Sequence, residues 1–106
     1  MGKFIYGDAS LRVDDRTLWH LELSIGAVLA VGDSFHFTWR EDVSAGIGRT
    51  SVWLSPMSRL RYRYKGGDRG ALNREWIKAL MVQAGKREGL VLLPEPPLPG
   101  APELDR

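Results

Sequence analysis

The segment "SFHFTWREDVSAGIGRTSVWLSPMSRLRYRYK" (residues 34–65) contains three runs in which apolar and polar residues alternate. Such alternation is typical of strands that have one buried and one exposed face. It predicts strands at 34–40, 50–55 and 59–65, with a polar, glycine-bearing loop at 41–49 between the first two. Because consecutive strands usually pair, we predict that the three form an antiparallel meander.

Two segments outside these strands carry apolar residues at helical spacing. Leu18, Leu21 and Ile25 predict an amphipathic helix over residues 15–31, and a second stripe predicts a helix over 72–86. A competing alternation through Trp19, Leu21, Leu23 and Ile25 would make residues 17–31 a β-hairpin. The length of the segment and the lack of a turn signal other than Gly26 favour the helix.

Shorter signals complete the predicted domain. Two β-prone runs at 3–7 and 10–13 predict an opening hairpin, and "LVLL" (90–93) predicts a last strand. The element order is then ββ-α-βββ-α-β, a single small α+β domain over residues 1–93 whose meander packs against two helices. Residues 94–106 contain five prolines, which predict a flexible tail.

Composition excludes several classes of site. The chain has 106 residues, no cysteine and two histidines, so disulfides are excluded and a structural zinc site is not expected. No apolar run reaches the length of a signal peptide or of a membrane span. We therefore expect a soluble cytoplasmic protein that holds no metal or cofactor and does not bind a membrane.

The net charge of +2 is distributed unevenly along the chain. Residues 1–48 have a net charge of −3, residues 49–87 of +8, and residues 88–106 of −3. A basic segment of this kind predicts a surface that binds a polyanion or an acidic partner.

The alternating strands concentrate this charge on the polar face of the predicted sheet. Cations on that face would contact phosphates and an exposed tryptophan would stack on bases, which is typical of nucleic-acid binding. The candidate nucleic-acid-binding residues are Arg40, Arg49, Trp53, Arg59, Arg61, Arg63, Lys65 and Arg69. Two alternatives stay open: the cations only solvate the outer face, or they bind an acidic protein partner or another copy of the chain.

The chain resembles a family of short actinobacterial proteins of about this length. The resemblance is carried by "GKFIYG" (2–7), "DDRTLWHL" (14–21), "GDSFHFTW" (32–39), "GRTSVWL" (48–54), "YRYKG" (62–66), "LNREWIKALM" (72–81) and "LVLLPEP" (90–96). Members of that family carry the label "ATP-dependent DNA ligase", which implies an association with DNA.

Ligase chemistry itself requires residues that the chain lacks. Ligases of that class use a lysine in a K-x-D-G motif, and none of the four lysines begins one. No other catalytic constellation is visible, so we expect a non-enzymatic module, with an accessory role near DNA compatible with the resemblance.

Overall fold

The computed structural model describes residues 1–43 and 46–98, with the side chains of residues 41–47 excepted. The order of its elements is β1 (Gly2–Tyr6), β2 (Ala9–Val13), α1 (Asp15–Ala30), β3 (Phe35–Val43), β4 (Gly46–Leu54), β5 (Leu60–Arg63), α2 (Arg74–Ala84) and β6 (Leu90–Val91). This is a small α+β domain, and both the class and the predicted order of strands and helices are confirmed.

Both predicted helices form, and each has a polar residue at its start. In α1, Leu18, Leu21 and Ile25 are buried, whereas Leu23 of the competing alternation is exposed. The helical period therefore describes this segment, and the hairpin alternative is wrong. α2 begins after Asn73, whose side chain accepts hydrogen bonds from the first-turn N–H groups and so satisfies donors that lack a helical partner.

The predicted meander is wrong, because the third strand pairs elsewhere. β5 runs antiparallel to β1, giving one sheet of order β2-β1-β5, and the second sheet has the order β4-β3-β6 with β6 parallel to β3. Between β4 and β5, a turn closed by the Ser58 N–H and the Ser55 carbonyl (2.9 Å) carries the chain to the other sheet. A two-stranded hairpin is marginal alone, and β5 completes a three-stranded sheet on β1.

The hairpin of β3 and β4 is longer than predicted. Most of the segment 41–49, expected as a loop, continues the ladder from the pair Arg40–Arg49 to the pair Val43–Gly46. The two acidic residues and two glycines of this segment favour a loop in the sequence, because these residue types are depleted in strands. Residues 44–45 lie outside the described residues.

The core lies where the apolar faces of the two sheets meet the helices. Phe4 of β1 is fully buried and makes edge contacts with Phe37 and Trp39 of β3, at centroid distances of 5.2 and 6.0 Å. Tyr62 of β5 packs against the same ring at 5.6 Å. The inner faces of both sheets share this core, and the polar face of each sheet lies on the side away from it.

The segment after β6 is attached to the body as far as Pro96. Arg16 donates two hydrogen bonds to Glu95, and the Asn73 side chain donates to Glu95 and to the Pro96 carbonyl. The domain boundary at residue 93 stays a prediction, to which the structure adds these contacts of the tail's first residues. Residues 99–106 of the predicted tail lie outside the described residues.

Candidate nucleic-acid interface

A row of cations crosses the outer face of the β2-β1-β5 sheet. Lys3 of β1 lies opposite Arg12 of β2 on one side and opposite Arg63 of β5 on the other. All three side chains are exposed. With neighbouring strands ~4.8 Å apart, the row spans about 10 Å.

Two further cations lie on either side of Arg63 along the β5 segment. Arg61 lies two residues before Arg63, opposite Ile5, and Lys65 lies two residues after it. Together with Met1 and Tyr64, the three cations of the row and Lys65 line a recess of about 230 Å³. We call Lys3, Arg12, Arg61, Arg63 and Lys65 the basic face.

The backbone at the end of β5 is held by a carboxylate of α1. Asp15 accepts hydrogen bonds from the N–H groups of Lys65 (3.1 Å) and Gly66 (2.8 Å). These bonds lower the pKa of the Asp15 carboxyl below its ordinary value. The negative charge of Asp15 thus anchors the backbone of the strand end, and its side chain forms no ion pair with the basic face within residues 1–43 and 46–98.

The positive charge of the basic face is not neutralised by neighbouring acids. In the described part of the chain, the ion pairs are Arg16–Glu95 and Lys78–Glu75, and neither involves a residue of the basic face. Like charges directly opposite one another in a sheet are destabilising. A row of three cations is therefore not explained by the stability of the isolated sheet.

Arg69, predicted to widen the basic surface, has a packing position instead. Its guanidinium lies over the rings of Trp19 (4.8 Å) and Tyr64 (5.0 Å), and the residue is half-buried. The Tyr64 hydroxyl in turn donates to Glu22 at 2.5 Å. Burial, followed by the hydrogen bond to Glu22, raises the pKa of Tyr64, so this phenol stays a neutral donor.

Three other predicted site residues belong to the second sheet. Arg40 and Arg49 lie opposite one another on β3 and β4, and Trp53 lies opposite His36, with ring centroids 4.8 Å apart. All of these side chains are exposed, but they lie on the β4-β3-β6 sheet and not on the sheet that carries the basic face. The predicted single surface is thus two surfaces, because β5 pairs with β1 and not with β4. Arg59 is exposed just before β5 begins.

Lys3 and Arg12 are absent from the residues that the sequence pattern predicts for the site. Each alternates with core residues, Lys3 preceding the fully buried Phe4 and Arg12 preceding the buried Val13, so each was recognisable as a polar-face residue. What the sequence does not reveal is that β1 lies beside β5, which brings Lys3 and Arg63 together.

The two histidines differ in environment, and neither belongs to a metal cluster within the described ranges. His20 is fully buried: the Asn73 N–H donates to its Nε2 (3.0 Å), so its Nδ1 carries the proton and donates to the Arg16 carbonyl (2.8 Å). With both nitrogens bonded, His20 connects the starts of α1 and α2. His36 is exposed beside Trp53.

Nearly the whole described chain matches one family of proteins. That family, described as a domain of unknown function, DUF7882, matches residues 1–95. The chain belongs to that family. No curated protein and no solved structure matches it. Within residues 1–43 and 46–98, no helix is long and apolar enough to cross a membrane.

Proposed function

We propose that this domain binds the phosphate backbone of nucleic acid through the basic face. The observation that carries the proposal is the row Arg12–Lys3–Arg63, three exposed cations on adjacent strands without an acidic partner among the described residues. Phosphates would supply the missing negative charge, and arginine suits them because its guanidinium donates two parallel hydrogen bonds.

The basic face favours contacts to phosphates over contacts to bases. Between its cations lie Ile5 and Ser10, and the exposed Trp53 lies on the other sheet. A row about 10 Å long spans about three of the axial steps of roughly 3.4 Å that separate successive phosphates of one strand. Without a stacking platform we expect weak sequence specificity and no strong preference for single strands over duplex.

In this proposal the protein has a non-enzymatic, accessory role on DNA. The resemblance to actinobacterial proteins with a DNA ligase label agrees with an accessory function on DNA, and such a function would place the protein in the cytoplasm. The absence of a K-x-D-G lysine in the sequence supports a binding role in place of adenylyl transfer.

The test is fluorescence anisotropy with labelled single-stranded and duplex DNA over a series of salt concentrations. The variant Arg61→Gln/Arg63→Gln should weaken binding, and the slope of its salt dependence should be flatter by about 0.7 for each single-strand phosphate that it no longer binds. The matched control is Lys86→Gln/Arg87→Gln, which removes the same charge from the exposed segment between α2 and β6. If the wild type does not bind at low salt, the proposal is wrong and an acidic protein partner becomes the better explanation.

A further inference from the structure

A second surface of the molecule is an open strand edge. In the sheet of order β4-β3-β6, β4 has a neighbouring strand on one side only, as far as the described residues go. It is nine residues long, whereas strands commonly have about 5–6. The backbone N–H and C=O groups along such an edge can pair with a strand from another chain.

Residues 48–54 of β4 carry little of the protection that long edges usually have, with Arg49 as their one charged residue. Edge strands are usually blocked by charged side chains, above all lysine, by proline or by a bulge. The segment 48–54, "GRTSVWL", contains neither lysine nor proline, and its register with β3 is continuous, without a bulge. Among the described residues, no further strand pairs with this edge of β4, which can accept a partner strand.

The outward side chains of β4 are unfavourable in an isolated chain. Trp53 is 52% exposed, a large apolar surface in water. Arg49 lies directly opposite Arg40, a pair of like charges. Arg49, Ser51 and Trp53 point to the same side because alternate residues of a strand share a face.

We propose that β4 pairs antiparallel with β4 of a second copy of this chain, with Ser51 at the two-fold axis. Reversing the strand about Ser51 brings Arg49 opposite Trp53 of the second copy, and Trp53 opposite Arg49 of the second copy. Each indole then covers a guanidinium, which is the geometry of a cation–π pair. When two copies of β4 pair antiparallel, each Arg49 meets a Trp53 and each Trp53 meets an Arg49. This self-complementarity favours a second copy over an unrelated strand.

The register follows from the length of strand that can pair. Centring on Ser51 overlaps residues 48–54 of both copies. Centring on Trp53 would leave only 51–55, because Pro56 follows and cannot donate to the ladder. The pairing joins the two three-stranded sheets into one of six strands and leaves the basic face of each copy uncovered, so it is independent of the proposed nucleic-acid binding.

Cross-linking tests the position of the axis in the full chain. The chain contains no cysteine, so Ser51→Cys introduces a single thiol. Residues directly opposite in antiparallel strands have Cα atoms about 4.5–5.5 Å apart, within the range that a disulfide spans. With oxidised glutathione as the oxidant, Ser51→Cys should form a covalent dimer at least about tenfold faster than Ser10→Cys, because prior association raises the effective thiol concentration. Ser10 is an exposed serine on β2, an edge strand of the other sheet. Equal rates would overturn the proposal.

The oligomeric state in solution, measured without cross-linking, provides a second test of the proposed dimer. Sedimentation equilibrium without nucleic acid should show a dimer for the wild type and for Ser10→Lys, and a monomer for Ser51→Lys, which places two lysines across the axis. Circular dichroism verifies that each variant is folded. A wild type that stays monomeric at every concentration, or a Ser51→Lys variant that still dimerises, would show that β4 is not the interface.

Discussion

Arg16 near the start of α1 and Glu95 beyond β6 are 79 residues apart in the chain and are joined by two hydrogen bonds of 2.9 and 2.7 Å. Other N–H groups of the same guanidinium donate to the carbonyls of Arg69 and Ala71, and Asn73 donates to the same carboxylate. Arg16 therefore connects the helix, the segment before α2 and the segment after β6. These contacts hold the segment after β6 against the starts of both helices.

This ion pair predicts a pH-dependent stability. The Arg16 hydrogen bonds, followed by that from Asn73, lower the pKa of Glu95 from 4.5 to about 2. A depressed carboxyl pKa stabilises the fold fully above about pH 4.5, and the contribution disappears as the pH falls towards 2. Because both side chains are partly exposed, 22% and 29%, the pair contributes no more than roughly 1 kcal/mol.

The measurement is the melting temperature of the wild type and of Glu95→Gln at several pH values. The variant should melt lower at pH 7, and the difference should shrink as the pH falls below 4.5. Lys78→Gln, which removes the exposed pair with Glu75, is the control and should change little at any pH. A difference between wild type and Glu95→Gln that does not vary with pH would contradict the assignment.

The alternation of β1 and β5 predicts that the two faces of their sheet respond differently to mutation. Phe4→Ala removes a fully buried ring and should destabilise the domain by about 3–5 kcal/mol. Tyr62→Ala should lower stability by less, because Tyr62 is only half-buried. Arg61→Gln/Arg63→Gln should stay within about 0.5 kcal/mol per residue, since both side chains are exposed.

Urea unfolding followed by circular dichroism gives these free energies of unfolding. The result for the arginine variant matters for the function, because a variant that stays folded but no longer binds nucleic acid is missing only the phosphate-binding side chains. A large destabilisation by the arginine changes would show that their side chains are packed.

The pairing of β5 with β1 can be tested by engineered disulfides in a chain without native cysteine. Lys3→Cys/Arg63→Cys places two thiols on directly opposite residues and should cross-link within one molecule. Trp53→Cys/Arg61→Cys corresponds to the pairing that a β4–β5 hairpin would produce, and should not cross-link intramolecularly. The reverse pattern would restore the meander that the sequence predicted.

The type and order of the elements can be predicted from the sequence, but the pairing of the strands cannot. The alternation of Phe35, Phe37 and Trp39 and the helical spacing of Leu18, Leu21 and Ile25 reflect local periods, so type and order of the elements follow from the sequence. Which strand pairs with which depends on long-range packing. The alternation of β5 shows which of its faces is buried, but it is compatible with pairing to β4 or to β1. The same holds for the candidate site. The alternation places Arg61 and Arg63 on a polar face, whereas the pairing of β1 with β2 and β5 is what brings Lys3 and Arg12 beside them.

A last prediction distinguishes the basic face seen in the structure from the surface that the sequence predicted, which included Trp53. If nucleic acid binds across the β2-β1-β5 sheet, Lys3→Gln/Arg12→Gln should weaken binding about as much as Arg61→Gln/Arg63→Gln, because each variant removes two cations from the same surface. Trp53→Ala should leave the affinity for single-stranded DNA unchanged, since the indole lies on the other sheet. Anisotropy titrations at one low salt concentration measure all three, with Lys86→Gln/Arg87→Gln as the charge-matched control. Weakened single-strand binding in Trp53→Ala, with normal binding in Lys3→Gln/Arg12→Gln, would move the site to the β3–β4 surface and restore a base-stacking mechanism.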